Sequence, residues 1–318
     1  MTLKTIDLFC GAGGSSYGAR NAGAEIVAGF DMWDPAIKAF SKNFPNAKTF
    51  AGDLRLYDPG EILEETGPID LILASPECTN HSVAKGSKER CEVSKRTAFE
   101  VTRYAKEIDP KWIILENVVE MASWSEQSNL LEELWGLGYF VKEMRLDSSE
   151  FGVPQARKRL FLICSKATEV SIPVPSGINK VPVKNIIDWS DKYRFTPLRK
   201  KNRATKTLER ADNAINSVGS NVPFLIVYYG TGDGWMSLEK PLRTITTLDR
   251  FALVKPDKKY GHVMRMLQPE ELKLAMGFGP DYDLDIRVTR REKIKLMGNG
   301  VCPPVMEALV RGLNSFVH

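Results

Sequence analysis

The first 166 residues alternate short, continuous apolar runs with longer stretches of helical periodicity. Continuous apolar runs of this length are typical of strands that are buried on both faces. They predict strands at residues 4–9, 25–30, 69–74, 111–116, 139–146 and 159–165. Amphipathic helical patterns lie between them, at residues 34–44, 98–108 and 128–138. Strands that alternate with helices predict an α/β domain built on a doubly wound parallel sheet.

The pattern changes after residue 166. Pro173, Pro175 and Pro182 interrupt the alternation, and a run rich in arginine and lysine follows at residues 199–206. Helical patterns return only near the end of the chain, at residues 268–278, 289–298 and 303–313. The sequence therefore predicts a main domain formed by two segments and a smaller inserted domain, with the bounds 1–166 and 244–318 for the first and 167–243 for the second.

Composition excludes several classes of protein. No run approaches the roughly 18 apolar residues of a membrane span, and the N-terminus lacks the apolar core of a signal peptide, so we expect a cytoplasmic protein. The 5 cysteines are scattered without a CxxC pair, which argues against a zinc site and a disulfide scaffold, and we expect no metal. The net charge of +4 favours an anionic partner only weakly.

A glycine-rich turn follows the first predicted strand, in the sequence IDLFCGAGGSSYGAR. Gly11, Gly13 and Gly14 allow the backbone to turn sharply and to approach a ligand closely. The third glycine of a G-x-G-x-x-G dinucleotide motif is replaced by Ser16. Glycine turns of this kind also serve purely structural purposes, so the motif is weak evidence when taken alone.

Three acidic residues, Asp31, Asp34 and Asp53, stand at or just after the ends of strands. Asp31 ends the second strand, where nucleotide folds hold the ribose hydroxyls, whereas Asp34 could instead cap the following helix. Asp53 offers a third acid at a strand end and is suited to accept a hydrogen bond from an adenine amine. Together with the glycine turn, these positions favour a cofactor that contains adenosine.

Cys78 lies in the segment SPECTNHS, directly after the strand predicted at 69–74. Cysteine is most often a small buried apolar residue, and this is the simpler interpretation. The carboxyl end of a strand is also where α/β folds place their ligands, so a reactive thiol is the alternative. The segment by itself does not decide between the two.

Six motifs in a fixed order resemble those of the cytosine-5 DNA methyltransferases. They are DLFCGAGGSS, SPECTNHS, ENV at 116–118, FGVPQARKRLFLI at 151–163, RMLQPEELKLAMGF, and GNGVCPPV at 298–305. The resemblance covers nearly the whole chain outside the insert. It implies a class I methyltransferase fold with a Rossmann-like sheet, S-adenosylmethionine as cofactor, double-stranded DNA as partner, and a target-recognition domain at 167–243. It also implies a monomer.

The resemblance assigns catalytic roles to four residues. Cytosine C5 is too weak a nucleophile to take a methyl group unaided, so Cys78 would add to C6 and turn C5 into an enamine carbon. Glu116 would supply a proton at N3, and Arg159 would contact O2 and steady Glu116. Arg157 would support the catalytic loop or contact a phosphate. For an arginine the commoner role is a surface salt bridge.

The cofactor contacts follow from the same resemblance. Phe9 would pack on the adenine, Asp31 would accept from the ribose hydroxyls and Asp53 from the adenine amine. The other residues expected at the cofactor are Gly11, Gly13, Met32, Leu54, Asn299 and Val301.

DNA contacts are expected in two places. The target carbon is inaccessible in a stacked duplex, so the base must flip out, and residues 79–96, with Ser82 and Lys85, would close over the DNA. The basic run of the insert would contact phosphates, and Thr244 would lie near the flipped base. The residues expected to bind phosphate in this run are Arg199, Lys200, Lys201 and Arg203. Such a run is otherwise a solvated surface.

Three alternatives remain at this point. A tRNA cytosine-5 methyltransferase shares the catalytic motifs, although the CFT sequence expected in that branch is absent. A catalytically silent DNA-binding homologue is favoured by Glu77, which stands where the family commonly has proline and would disfavour a thiolate. A nicotinamide-dependent dehydrogenase is disfavoured by the missing third glycine. As an active DNA enzyme, the protein would be associated with the nucleoid, with a separately acting restriction endonuclease as a possible partner.

Overall fold

The structure is a computed structural model that describes residues 2–76, 96–167, 179–230 and 232–314. The strands are β1 (Lys4–Leu8), β2 (Glu25–Asp31), β3 (Lys48–Ala51), β4 (Leu71–Ala74), β5 (Trp112–Asn117), β6 (Phe140–Asp147), β7 (Gln155–Ala156), β8 (Lys158–Ser165), β9 (Thr196–Pro197), β10 (Phe224–Val227), β11 (Trp235–Ser237), β12 (Leu242–Arg243), β13 (Phe251–Asp257) and β14 (Gly261–Met266). The helices are α1 (Gly14–Asn21), α2 (Asp34–Asn43), α3 (Pro59–Thr66), α4 (Phe99–Ile108), α5 (Gln127–Gly136), α6 (Thr205–Val218), α7 (Pro269–Ala275), α8 (Arg290–Asn299) and α9 (Pro303–Asn314).

The larger sheet has seven strands in the order β3-β2-β1-β4-β5-β8-β6. The six strands predicted from apolar runs are all present in it, each within two residues of its predicted bounds. The prediction of a fully parallel sheet is wrong for β8, which is antiparallel to both of its neighbours. The short segment between β6 and β8 contains no crossover helix, and a parallel return needs a connection of about a dozen residues or more.

Helices cover both faces of this sheet. The alternation along β4 shows the two faces directly, because Leu71 and Leu73 are buried in one apolar core and Ile72 in the other. The first core also contains residues of α1, α2 and α9, and the second contains residues of α4 and α5. The doubly wound α/β class is therefore confirmed. In the described ranges, no helix combines the length and the apolar character that crossing a membrane would require.

The smaller sheet has five antiparallel strands in the order β11-β10-β13-β14-β9. Helix α6 packs on it through Ala211 and Ala214, which share a buried core with Phe224 and Ile226 of β10. The hairpin of β13 and β14 lies beyond residue 243, the predicted edge of the insert, and its strand β13 pairs with β10. A separate parallel pair, β7 with β12, connects the segment before β8 to the end of the insert.

Close packing of α9 on α1 yields the first prediction. A Cβ atom added at Gly18 of α1 would overlap the carbonyl oxygen of Pro303, so Gly18→Ala should force the two helices apart. Overpacking of this kind costs about 1–3 kcal/mol. We expect the free energy of unfolding in urea to fall by that amount. Gly136→Ala is the matched control, because nothing lies within 4 Å of its added Cβ. Equal stability of the two variants would contradict the packing described here.

Asp7 of β1 generates a prediction for the pH dependence of stability. Its carboxyl is fully buried and accepts a hydrogen bond from Ser16 Oγ at 2.6 Å, and burial raises its pKa to about 7 from a usual value of 3.8. The stability that this proton contributes is complete below the unfolded pKa and is lost as the pH rises through the folded pKa. The free energy of unfolding should therefore fall between about pH 4 and pH 7, at up to about 1.4 kcal/mol per pH unit.

Asp7→Asn removes the titrating group and should flatten that dependence. Urea unfolding of both proteins at pH 5 and pH 7 is the measurement, with the pH slope as its result. An unchanged slope in the variant would show that Asp7 does not hold its proton in the folded state.

Candidate active site

A cavity of about 580 Å³ opens at the carboxyl ends of β1, β2, β4 and β5. This edge is the place where strand order reverses, between β1 and β4, and open α/β sheets bind their ligands at such a point. The glycine turn, the strand ends and the segment from residue 295 to 301 line the cavity. The residues that the sequence assigned to cofactor and catalysis thus largely meet in one place.

The glycine turn is held in left-handed backbone conformations. Phe9, Gly11 and Gly13 have φ values of 64°, 54° and 75°. Nothing lies within 4 Å of a Cβ atom added at Gly11, which lines the cavity, so a ligand can approach its main chain. The structure does not bring Gly13 to the cavity. A Cβ atom there would lie 2.6 Å from the ring of Phe44, so packing explains this glycine.

Asp31 fixes the turn and presents a carboxylate to the cavity. Its Oδ2 accepts from the Gly11 amide at 2.9 Å, and its Oδ1 accepts from the Trp33 amide at 2.8 Å. Burial raises the pKa of this carboxyl, and the two backbone hydrogen bonds and the charge of Lys295 oppose the rise. Asp34 does not cap α2, and its carboxylate pairs with Lys38 at 2.6 Å.

Asp53 lies across the cavity at the end of β3. It accepts from the Arg55 amide at 3.0 Å and pairs with the Arg55 guanidinium, and these hydrogen bonds lower its pKa. An ionised acceptor therefore faces the cavity. The remaining predicted cofactor residues that line it are Phe9, Met32, Leu54, Asn299 and Val301.

Glu116 and Arg159 form a buried ion pair in the cavity wall. Glu116 lies near the end of β5 and Arg159 near the start of β8, and antiparallel pairing of these strands brings their side chains together. Arg159 Nε lies 3.0 Å from Glu116 Oε1, with the side chains 16% and 7% exposed. Burial raises the pKa of Glu116, and the charges of Arg159 and Arg157 oppose the rise. Desolvation of this kind favours a carboxyl that keeps its proton.

Arg157 is buried and bonds to main-chain carbonyls. Its Nη1 donates to Ile245 O at 3.1 Å, and its Nη2 donates to Gly298 O and Gly300 O, both at 2.9 Å. This arrangement fits the support of a loop better than a contact with a phosphate. Gln155 accepts from the Ile245 amide at 2.8 Å and so has a structural role.

The residues predicted to contact DNA differ in their surroundings: some are bonded within the protein and others are exposed. Arg199 pairs with Asp212, and Arg203 donates to Leu198 O at 3.1 Å and Pro197 O at 3.0 Å, so both are engaged within the small sheet and its helix. Lys200 and Lys201 are exposed.

Thr244 lies beside the cavity wall. Its Oγ1 donates to Ala156 O at 3.0 Å, next to Arg157. Cys78, Ser82 and Lys85 lie outside the described residues.

Sequence reasoning missed one pair at the cavity rim. Lys295 Nζ lies 4.2 Å from the centre of the Trp33 ring, and both residues line the cavity. Lysine over an indole face is a favourable cation–π contact. The signal was available in the sequence, because Lys295 precedes the GNG motif by one helical turn and therefore shares a face of α8 with Gly298.

Curated relatives include bacterial Type II methyltransferases. The chain is 30% identical to M.HgiDI of Herpetosiphon aurantiacus over 250 residues, which span 76% of this chain and 80% of that protein. It is 28% identical to M.HindV of Haemophilus influenzae over 258 residues, which span 78% and 83%. The match to M.AgeI of Thalassovita gelatinovora, at 31% identity, covers 56% of this chain and only 43% of that protein.

Solved structures with the same fold include a variant of Spodoptera frugiperda DNMT2. It superimposes with a TM-score of 0.74 at 17% identity, over 98% of this chain and 100% of that chain. The Entamoeba histolytica methyltransferase EhMeth gives a TM-score of 0.70 at 17% identity, over 100% and 99%. At these identities the comparison bears on the fold alone.

The family model described as C-5 cytosine-specific DNA methylase matches residues 3–315. The predicted family, enzyme class, fold class and methyl donor are thereby confirmed, since enzymes of this family take the methyl group from S-adenosylmethionine. The chain belongs to the C-5 cytosine-specific DNA methylases.

Proposed function

We propose that this protein methylates C5 of cytosine within a specific sequence of double-stranded DNA, through a covalent bond from Cys78 to C6 of a flipped base. The observation that carries the proposal is the buried pair of Glu116 and Arg159, which opens into the same cavity as Asp31 and the glycine turn. The proposed proton donor for the base, Glu116, and the residues proposed to bind an adenosine therefore line the same cavity.

The residues present fit S-adenosylmethionine. The volume of the cavity lies in the usual range of about 300–1,000 Å³ for small-molecule sites. Asp31 would accept from the ribose hydroxyls, Asp53 from the adenine amine, and the Phe9 ring would pack on the adenine, with the open main chain of Gly11 beside the ligand. When bound, the cofactor supplies an electrophilic methyl group on its sulfonium.

On the base, the protein's own groups would act in sequence. The Cys78 thiolate forms a bond to C6, and the electron pair of the C5–C6 double bond becomes available at C5 for the methyl group. A proton from Glu116 at N3 stabilises the adduct, and Arg159 holds both that carboxyl and the cytosine O2. Loss of the C5 proton then expels Cys78 and restores the ring.

The enclosed position of this pair supports base flipping. Glu116 is 5% exposed and lies in the wall of a cavity, so a cytosine stacked in a duplex could not reach its carboxyl. Among the predicted phosphate contacts, Lys200 and Lys201 are the better supported, because Arg199 and Arg203 are engaged within the protein. A separately acting restriction endonuclease accords with Type II relatives, while the monomeric state and the nucleoid location stay predictions.

The first test of the function is transfer of a tritiated methyl group from S-adenosylmethionine to mixed genomic DNA and, separately, to tRNA. We expect label at cytosine C5 in DNA, none in tRNA, and none in either with Cys78→Ser, because serine is too weak a nucleophile for C6. Label in tRNA alone would establish the RNA activity instead. DNA binding without any transfer would establish the silent homologue, with Glu77 as the first residue to replace by proline.

Glu116→Gln tests the proton donor. The amide keeps the shape of the side chain but supplies no acid, so we expect kcat/KM for methyl transfer to fall by roughly 10²–10⁴-fold. The wild-type rate should decline as the pH rises through the pKa of Glu116, because the protonated form acts, and the variant should lose this decline.

Binding of S-adenosylhomocysteine, measured by calorimetry, is the control, and it should be unchanged because Glu116 faces the base. A variant with the wild-type rate and pH profile would remove Glu116 from the mechanism.

A further inference from the structure

One end of the smaller sheet faces the cavity. Val227, the last residue of β10, pairs with Phe251, the first residue of β13. The chain enters β13 directly from the segment 244–250, in which Ile245 O accepts from Arg157. In addition, Tyr229 Oη donates to Thr244 O at 2.6 Å, just beyond β10. The carboxyl end of β10 is therefore the part of this sheet that lies beside the catalytic groups.

Arg210 of α6 lies at this end. Its guanidinium carbon is 5.6 Å from the centre of the Tyr228 ring, one residue beyond β10. Its aliphatic part lies against Gly234, where an added Cβ would overlap Cγ, Cδ and Nε of the arginine. Gly234 also has a φ of 73°, so glycine is favoured there on two grounds. Tyr228 and Gly234 together hold the Arg210 side chain in a defined orientation.

The guanidinium of Arg210 has capacity for a further partner. Its Nη1 donates to Lys206 O at 3.3 Å within α6, and this is the hydrogen bond that the guanidinium makes within the described part of the chain. A guanidinium carries five donors in a rigid, planar fork. By contrast, Arg203 makes three hydrogen bonds to the small sheet, and Arg199 pairs with Asp212. Arg210, which lies outside the run that the sequence favoured, thus keeps more donors for a further partner than Arg203 does.

The backbone beside Arg210 is open to a large ligand. Gly230 and Gly232 have φ values of 80° and 112°, and nothing lies within 4 Å of a Cβ atom added at either position. Bare main chain at a loop tip lets another backbone approach closely. These two glycines therefore leave room for a nucleic-acid backbone to approach the main chain beside Arg210.

We propose that Arg210 reads a guanine next to the target cytosine, which identifies one base of the sequence that the enzyme recognises. This inference rests on the proposed function. Two parallel N–H donors of an arginine match O6 and N7 of guanine in the major groove, and this is the commonest specific contact between proteins and DNA. An oriented side chain loses little freedom on binding, so its discrimination between bases is strong. A phosphate contact would require no such orientation.

The test compares the wild type with Arg210→Lys on a library in which the positions around one cytosine are randomised. Bisulfite sequencing reports which sequences become methylated. We expect the wild type to require guanine at one neighbouring position, and Arg210→Lys to lose about 10- to 100-fold of its preference there and nowhere else. Gly234→Ala should relax the same position, because its Cβ displaces the Arg210 side chain.

Arg311→Lys on α9 is the matched control, since Arg311 pairs with Glu307 on a remote helix and should keep the wild-type preference. Binding of S-adenosylhomocysteine verifies that each variant is folded. A rate that falls equally on all sequences would overturn the proposal and make Arg210 a phosphate contact, and an unchanged preference would overturn it as well. Absence of DNA methylation by the wild type would instead refute the proposed function.

Discussion

The buried guanidinium of Arg157 is the interaction on which the arrangement of the site depends. It joins the carbonyls of Ile245, Gly298 and Gly300, which belong to the return from the insert and to the segment that lines the cofactor cavity. A charge buried without such partners is costly, and each buried carbonyl left without a donor costs about 1–3 kcal/mol. Arg157 therefore stabilises the very contact that places the smaller sheet beside the cavity.

Two arginines with almost the same position in the sequence have different tasks. Arg157 and Arg159 are two residues apart, project to the same side and both line the cavity. Arg159 lies within ion-pair distance of Glu116, while Nη1 and Nη2 of Arg157 bond to main-chain carbonyls. The partner of each guanidinium, rather than its position in the motif, determines what it can contribute to the reaction.

The sequence predicts well what depends on local pattern and less well what depends on pairing over long distances. Strands buried on both faces are continuous apolar runs, and acids at their carboxyl ends, such as Asp31 and Glu116, meet at one edge of a sheet by geometry alone. The strands β7, β9 and β12 have two residues each, too few for any periodicity to show in the sequence. The basic run illustrates a related limit. Charge shows that a residue needs a partner but not which one, and Arg203 finds its partners within the fold.

The contacts between the two sheets explain how recognition can change while chemistry stays the same. Gln155 accepts a hydrogen bond from the Ile245 amide, and Arg157 donates one to the Ile245 carbonyl. Tyr229 donates a hydrogen bond to the Thr244 carbonyl. Main-chain groups are the same for every residue type except proline, so these bonds depend on the side chains of Gln155, Arg157 and Tyr229 and not on the side chains of residues 244 and 245. The catalytic pair of Glu116 and Arg159 lies entirely within the larger sheet and does not depend on the insert for its geometry. Under the proposed role of Arg210, discrimination between sequences rests on a side chain of α6, which is separate from the catalytic pair.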